Sequence, residues 1–217
     1  MAFDCTTPDY DRLYQPWLER GKNMLLLGQY KPGQRVLDLC GGTGIVSKTL
    51  RAMDPQADVH LLDLNPRCET AGVRQLQGRA EDAGSVYAGG TFDLVVCRQS
   101  LGYLNLRETI ISVAKVLKVG GKFVFNTFTK PKRWSWKSYS KDGISYRQAH
   151  IFLFGKVLHL QMAGWSWDVS CFRYHSPTDI NKYAFLWFDF VLTHEADSNS
   201  NYWVCTKKHG IVWTDIT

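Results

Sequence analysis

The hydrophobic positions of this chain change period several times, from runs almost free of polar residues to spacings of three and four. In "VLDLCGGTG", Val36, Leu37 and Leu39 make the near-continuous apolar run of a strand buried on both faces. The run stops at Gly41, Gly42 and Gly44, which suit a turn where backbone approaches something closely. Val46, Leu50 and Met53 then fall at helical spacing. "VHLLDL" at 59–64 reads as a second strand ending in Asp63, "FDLVVCRQ" from Phe92 as a third and "GKFVFNTF" from Gly121 as a fourth. Between the last two lies a helix capped by Asn105 with Glu108 three residues on. Leu106, Ile110, Val113 and Leu117 form its buried stripe, and Gly120 stops it. Strand and helix in repeated alternation imply a mostly parallel sheet with helices on both faces. A glycine turn at the carboxyl end of a strand is where such sheets place a ligand.

After Phe128 the pattern changes, and aromatic residues crowd the segment 129–175. "ISYRQAHIFLFGKVLHLQMAGWSWDVSCFRYH" breaks into three extended runs near Gly155 and Gly164, so a small antiparallel β insertion is expected there. "SPTD" restarts a helix, with Ser176 as the capping hydroxyl, Pro177 at the first helical position and Asp179 in the first turn. "FDFVLTHE" and "YWVCTKK", joined by "ADSNSN", make a closing hairpin.

Composition narrows the class. A chain of 217 residues, 45% hydrophobic and free of low-complexity runs, suffices for one good core, so residues 1–217 are expected to form a single domain. The start, "MAFDCTTPDYDRL", lacks the basic and apolar parts of a signal peptide, and no apolar stretch approaches the ~18 residues of a membrane span. A soluble, cytoplasmic protein is therefore expected, with no membrane partner. The six cysteines show no CxxC pair or His-Cys spacing, so neither a metal site nor a disulfide framework is expected. The net charge of +6 is spread along the chain, and its densest cluster, "KPKRW", reads as a solvated loop. Nucleic acid is not the expected partner.

The glycine turn selects among ligands. A dinucleotide fingerprint needs a third glycine where Ser47 stands, and the Gly-Lys-Ser/Thr of a phosphate loop is absent. Asp63, at the end of the next strand, suits two ribose hydroxyls. These residues fit a nucleoside without phosphates.

The chain resembles the class I S-adenosylmethionine-dependent methyltransferases over roughly residues 34 to 207. "VLDLCGGTG" looks like their first motif, "LLDLNP" like the ribose-binding acidic loop and "GRAEDAG" like the adenine-side loop. "FDLVVCRQSLGYL" looks like the fourth motif and "VLKVGGKFVF" like the lead into the fifth strand. The resemblance implies an α/β fold with a seven-stranded, mostly parallel Rossmann-like sheet, helices on both faces and an antiparallel terminal hairpin. It implies S-adenosyl-L-methionine as cofactor and assigns roles. Gly41, Gly42, Thr43 and Gly44 approach its methionine part, Asp63 holds the ribose, and Leu64 lies against adenine. Ala80 and Glu81 meet the adenine edge, and Cys97 and Arg98 line the methionine end, with Gln99 and Ser100 toward the substrate. Cys40 stands where the family more often has glycine, and Arg79 where it often has an acid. Asp38 is either a direct ligand or a structural acid tying down backbone amides. "YDRLYQPW" looks like the N-terminal lid of small-molecule members, so residues 1–33 are expected to form a lid with Tyr10, Tyr14 and Trp17 over the sulfonium.

Methyl transfer to a small metabolite is the expected function. Asn126, Tyr139, Tyr146, Tyr174 and His150 are the candidate catalytic residues, the tyrosines offering ring faces to a cation and hydroxyls to a substrate. A second reading on the same scaffold is a cyclase that consumes S-adenosylmethionine alone, forming azetidine-2-carboxylate and releasing methylthioadenosine. A third, supported only by net charge, is an RNA-associated or regulatory cofactor-binding module.

Overall fold

The computed structural model describes residues 29–128, 134–141, 144–163, 166–194 and 200–209. Strand β1, Arg35–Leu39, leads through the glycine turn into helix α1, Ile45–Met53, and then β2, Asp58–Asp63, and β3, Val73–Gln77. A short helix α2, Ala83–Val86, precedes β4, Phe92–Cys97, which is followed by α3, Leu106–Val116, and β5, Leu117–Phe128. Four strands follow: β6, Trp134–Lys141, β7, Ile144–Leu153, β8, Lys156–Ala163, and β9, Ser166–Arg173. Helix α4, Pro177–Ala184, then leads to β10, Phe188–His194, and β11, Ser200–Lys207.

Seven strands form one sheet in the order β10-β11-β5-β4-β1-β2-β3. β11 lies antiparallel to both β10 and β5, whereas the pairs from β5 to β3 are parallel. β1 and β4 sit at the centre because their side chains are apolar on both faces. Leu37 and Leu39 enter a large core with Val95, Cys97, Phe123, Phe125 and the stripes of α3 and α4. Val36 joins Val46 and Leu50 of α1, Leu94, Val96, Val124 and Tyr202 on the opposite face. The expected mostly parallel sheet with helices on both faces and a closing hairpin is thus the fold. Helix ends follow their local signals: the Asn105 side chain accepts from the Glu108 amide, and Ser176 with Asp179 completes a reciprocal capping box with Pro177 in the first turn.

Four details differ from the sequence pattern. β3 was not visible as a strand, because Arg74, Gln75, Leu76 and Gln77 are all exposed at the sheet edge and carry no alternating apolar signal. The connection from β2 to β3 is a loop without a helix. Met53 is 56% exposed and does not share the buried stripe of Val46 and Leu50. α3 ends at Val116, so Leu117 opens β5 rather than closing the helix.

The insertion is a separate four-stranded antiparallel sheet in the order β6-β7-β8-β9, one strand more than the three extended runs anticipated. Phe154 and Gly155, both with positive φ, make the two-residue turn between β7 and β8. β9 meets the loop after β4 where Phe172 packs edge-on against Tyr103, with ring centroids 5.5 Å apart. This contact sets the insertion against the carboxyl ends of the parallel strands. No helix among the described residues is long and apolar enough to cross a membrane.

The antiparallel strand β11 is fastened by Trp203, whose ring stacks on Phe125 at 5.8 Å and whose Nε1–H donates to Thr127 Oγ1 at 3.1 Å. Trp203→Ala leaves a large void between β5 and α4 and is expected to cost about 3–5 kcal/mol in urea denaturation. Trp203→Phe, which keeps a ring but strands the Thr127 hydroxyl, should cost less. Equal losses for the two variants would contradict packing as the main term.

Candidate functional site

The centre of the site is a carboxylate inside the sheet. Asp38 is 1% exposed in the middle of β1, and its Oδ2 accepts from Ser47 N at 3.0 Å and Ser47 Oγ at 2.7 Å. Ser47 lies in the first turn of α1, so Asp38 fixes where that helix begins. A Cβ on Gly41 would lie 2.8 Å from the Asp38 carboxyl and 2.7 Å from Leu61, so glycine is required there by the acid itself. Gly44, at φ 76°, begins α1, and a side chain there would collide with Cys68. Cys40 has φ 60°, a left-handed conformation costing a non-glycine residue ~1 kcal/mol. Its thiol shares a hydrogen bond with that of Cys97, which together with burial holds it well above the usual thiol range.

The adjoining strand end supplies a second carboxylate. Asp63 Oδ2 accepts from Gly42 N at 3.0 Å and Oδ1 from Asn65 N at 2.8 Å, so β2 and the glycine turn are tied together through this side chain. The Cys40 amide donates to Leu62 O at 2.7 Å, and Arg67 N to Gly42 O at 2.9 Å, closing the loop on both sides. Leu64, next in sequence, is 55% exposed. Glu81 Oε1 accepts from Asn105 N at 2.9 Å, joining the segment before α2 to the start of α3. The Ala80 methyl is buried in the large core, which leaves its backbone, not its side chain, to face a ligand. Cys97 is also fully buried, and Arg98 lies close enough to Asp38 to favour its ionised form. The structure therefore brings Asp38, Gly41 to Gly44, Asp63, Leu64, Glu81, Cys97 and Arg98 to the carboxyl ends of β1, β2 and β4. These residues fit a nucleoside: each oxygen of Asp63 accepts one amide and retains lone-pair capacity for a hydroxyl, beside an exposed apolar side chain.

At the ends of β4 and β5, Gln99 has φ 53°, and its amide donates to Asn126 Oδ1 at 2.8 Å. Asn126 thus holds a strained backbone in place. Gln99, Leu101, Asn126, Tyr174 and His175 line a narrow recess there. It adjoins a cavity of about 690 Å³ walled by Tyr103, Arg107, Lys156, Phe172, Arg173, His175 and Tyr183, and Gly102, Arg173 and His175 belong to both. His175 hydrogen-bonds the Leu101 backbone, while its Nε2 is buried with no partner. Burial lowers its pKa below the ordinary histidine value, which keeps it neutral, with Nε2 as an acceptor.

Sequence reasoning did not single out His175. The only sequence cue was its position between the last insertion strand and the capped helix. Of the other candidates, Tyr174 reaches the recess, and burial raises its pKa. Tyr146 and His150 are buried in β7, where Tyr146 pairs with Tyr139 of β6 and His150 stacks on His159 at 4.6 Å. Neither lines the recess or the cavity. The Tyr139 side chain lies outside the described residues, as do Tyr10, Tyr14, Trp17 and the 130–133 basic cluster. No cluster of potential metal ligands occurs among the described residues.

Comparison with known proteins places this geometry. A family model described as a methyltransferase domain matches residues 10–183. A ubiquinone/menaquinone biosynthesis C-methyltransferase of Pseudomonas putida is 28% identical over 187 residues, covering 79% of this chain and 72% of that protein. The PH0226 protein of Pyrococcus horikoshii shares the fold with a TM-score of 0.67 at 21% identity, covering 94% of this chain and 97% of its own. An S-adenosylmethionine-dependent methyltransferase of Bacteroides fragilis, solved with S-adenosyl-L-homocysteine, aligns with a TM-score of 0.59 at 16% identity over 89% of this chain and 81% of its own.

Burial pushes the Asp38 carboxyl up to about 6, against the pull of the Ser47 hydrogen bonds and the Arg98 guanidinium. The folded chain therefore binds this proton more tightly than the unfolded chain, whose Asp titrates near about 4. Stability from this residue is greatest below the unfolded value and is lost as pH rises through the folded one, by on the order of 3 kcal/mol. Asp38→Asn keeps an acceptor for Ser47 and should be the more stable protein at pH about 7.5, with the advantage vanishing near pH about 4. Urea denaturation at the two pH values checks this, and a pH-independent difference would contradict it.

Proposed function

Because the chain belongs to the methyltransferase domain family and has the class I S-adenosylmethionine-dependent fold, we propose that it methylates a small molecule bound beside Gln99, Asn126 and His175. Bound S-adenosylmethionine supplies a methyl carbon made electrophilic by its sulfonium. The residues that would hold it are the Gly41–Gly44 backbone, Asp63 at the ribose hydroxyls, Leu64 and Glu81 at the base, and Cys97 and Arg98 toward the methionine end. Asp38 supports this set from below, through Ser47 and the start of α1.

The observation that carries the acceptor assignment is the cavity of about 690 Å³ opening beside the ends of β4 and β5. It suits a separate molecule. A cyclase acting within the aminobutyrate chain of its cofactor needs no second cavity, so this feature favours transfer over cyclisation. Asn126 fixes the Gln99 backbone at the junction, so that an acceptor is met by a rigid wall. His175 Nε2, buried and without a partner, is placed to take the proton that a hydroxyl, amine or acidic carbon gives up on methylation.

Incubation with S-adenosylmethionine and pools of small-molecule acceptors should yield S-adenosylhomocysteine by mass spectrometry. Methylthioadenosine formed without any acceptor would overturn the reading in favour of the cyclase. Asp63→Ala should weaken S-adenosylhomocysteine binding by about tenfold or more in calorimetry, since it removes charge-assisted hydrogen bonds and also loosens the Gly42 amide. Unchanged affinity would refute the ribose role. His175→Gln should lower kcat by roughly 10²-fold or more and remove the acid limb of the pH profile, with cofactor affinity unchanged. A retained acid limb would exclude His175 as the base.

A further inference from the structure

Three cations line the larger cavity: Arg107 at the start of α3, Lys156 at the start of β8 and Arg173 at the end of β9. Lys156 and Arg173 face each other across the β8–β9 hairpin, and the fold brings Arg107 of α3 to the same cavity. No carboxylate among the described residues pairs with any of them. The one acid in the wall, Asp179, is already committed: its Oδ2 accepts from Ser176 N at 2.9 Å and Ser176 Oγ at 2.7 Å within the capping box of α4. Arg173 is also held in place. A Cβ on Gly102 would lie 2.8 Å from the Arg173 carbonyl, so the loop after β4 packs directly on the backbone that carries this guanidinium.

Like charges gathered at one exposed rim repel one another, an effect softened by solvent, and no salt bridge among the described residues offsets it. An anion offsets that cost, and two guanidiniums offer planar, bidentate donors for a phosphate or carboxylate. The remaining walls suit the carbon skeleton of such a ligand, since Tyr103, Phe172 and Tyr183 present ring surfaces and two phenol hydroxyls. The cavity continues into the recess at Gln99, Asn126 and His175 through the shared Gly102, Arg173 and His175.

We propose that this cavity binds a small organic anion, its phosphate or carboxylate group held by Arg107, Lys156 and Arg173, and that this anion is the methyl acceptor. The second half of the statement rests on the methyltransferase reading, whereas the first does not. The anionic group lies at the rim, where the three cations are, and the carbon skeleton extends past Phe172 toward His175.

Calorimetry on the full chain, saturated with S-adenosylhomocysteine and then without it, tests both halves using phenyl phosphate, benzoate and uncharged phenol. The anions should bind at least tenfold more tightly than phenol, and the preference should shrink as salt is raised. Stronger binding of phenyl phosphate marks the phosphate ester as the native chemistry, and stronger binding of benzoate marks the carboxylate. The triple variant Arg107→Gln/Lys156→Gln/Arg173→Gln should lose about tenfold or more of anion affinity while its S-adenosylhomocysteine affinity is unchanged. Lys156→Glu alone, at an exposed strand start, should lose a measurable part and serves if the triple variant melts early. Anion binding with no S-adenosylhomocysteine binding would uphold the site and defeat the methyltransferase reading. Phenol binding as tightly as the anions, or wild-type anion affinity in the variants, would overturn the proposal.

Discussion

A carboxylate enclosed in the central strand of a parallel sheet has to find donors, and the surroundings of Asp38 are arranged to provide them. Its partners cannot come from neighbouring strands, whose amides are engaged in the ladder, so they come from the first turn of α1 through Ser47. That choice dictates the path between strand and helix. The chain must turn tightly over the acid, Gly41 must lack a side chain, and Gly44 must adopt a left-handed conformation to start the helix. The resulting turn directs the Gly42 amide at Asp63, and thereby joins the ends of β1 and β2. The cost is a sheet interior that holds a titrating group above its ordinary range, and the gain is a rigid backbone cradle.

A second tie, between β4 and β5, performs the corresponding task on the acceptor side. Asn126 accepts from the Gln99 amide and so fixes a backbone conformation that an ordinary residue adopts only under constraint. Cys97, two residues before, shares a hydrogen bond with Cys40 in the glycine turn. The cofactor-side loop and the acceptor-side recess are therefore linked through one strand end. Shifts of one are transmitted to the other by packed groups rather than through solvent.

Much of this was legible in the sequence because it is local. The apolar runs of β1, β2 and β4, the glycine turn, the caps at Asn105 and Ser176 and the closing hairpin each have their signal within a few residues. Asp63 could be singled out because a strand end is a position that sequence reports well. β3 could not, since an exposed edge strand has no buried face to impose a period. His175, Arg107 and Lys156 were equally silent. Each is unremarkable in its own segment and gains meaning only where β9, α3 and the loop after β4 come together. In the aromatic insertion the signal is divided for the complementary reason: ring-rich strands announce packing and binding alike, and Tyr146 and His150 are buried within their own sheet whereas Tyr174 lines the recess.

The position of β11 bears on how the protein is made. The four insertion strands pair with their sequence neighbours and close as local hairpins. β5, by contrast, receives its second partner only from Ser200–Lys207, after about seventy further residues have been synthesised, which at ribosomal elongation rates takes roughly 4–14 s. Throughout that interval the nascent sheet carries an unpaired edge with Phe123 and Phe125 beside it. The strand that completes the sheet arrives last, so vectorial synthesis leaves a sticky intermediate that chaperones on the ribosome would have to shield.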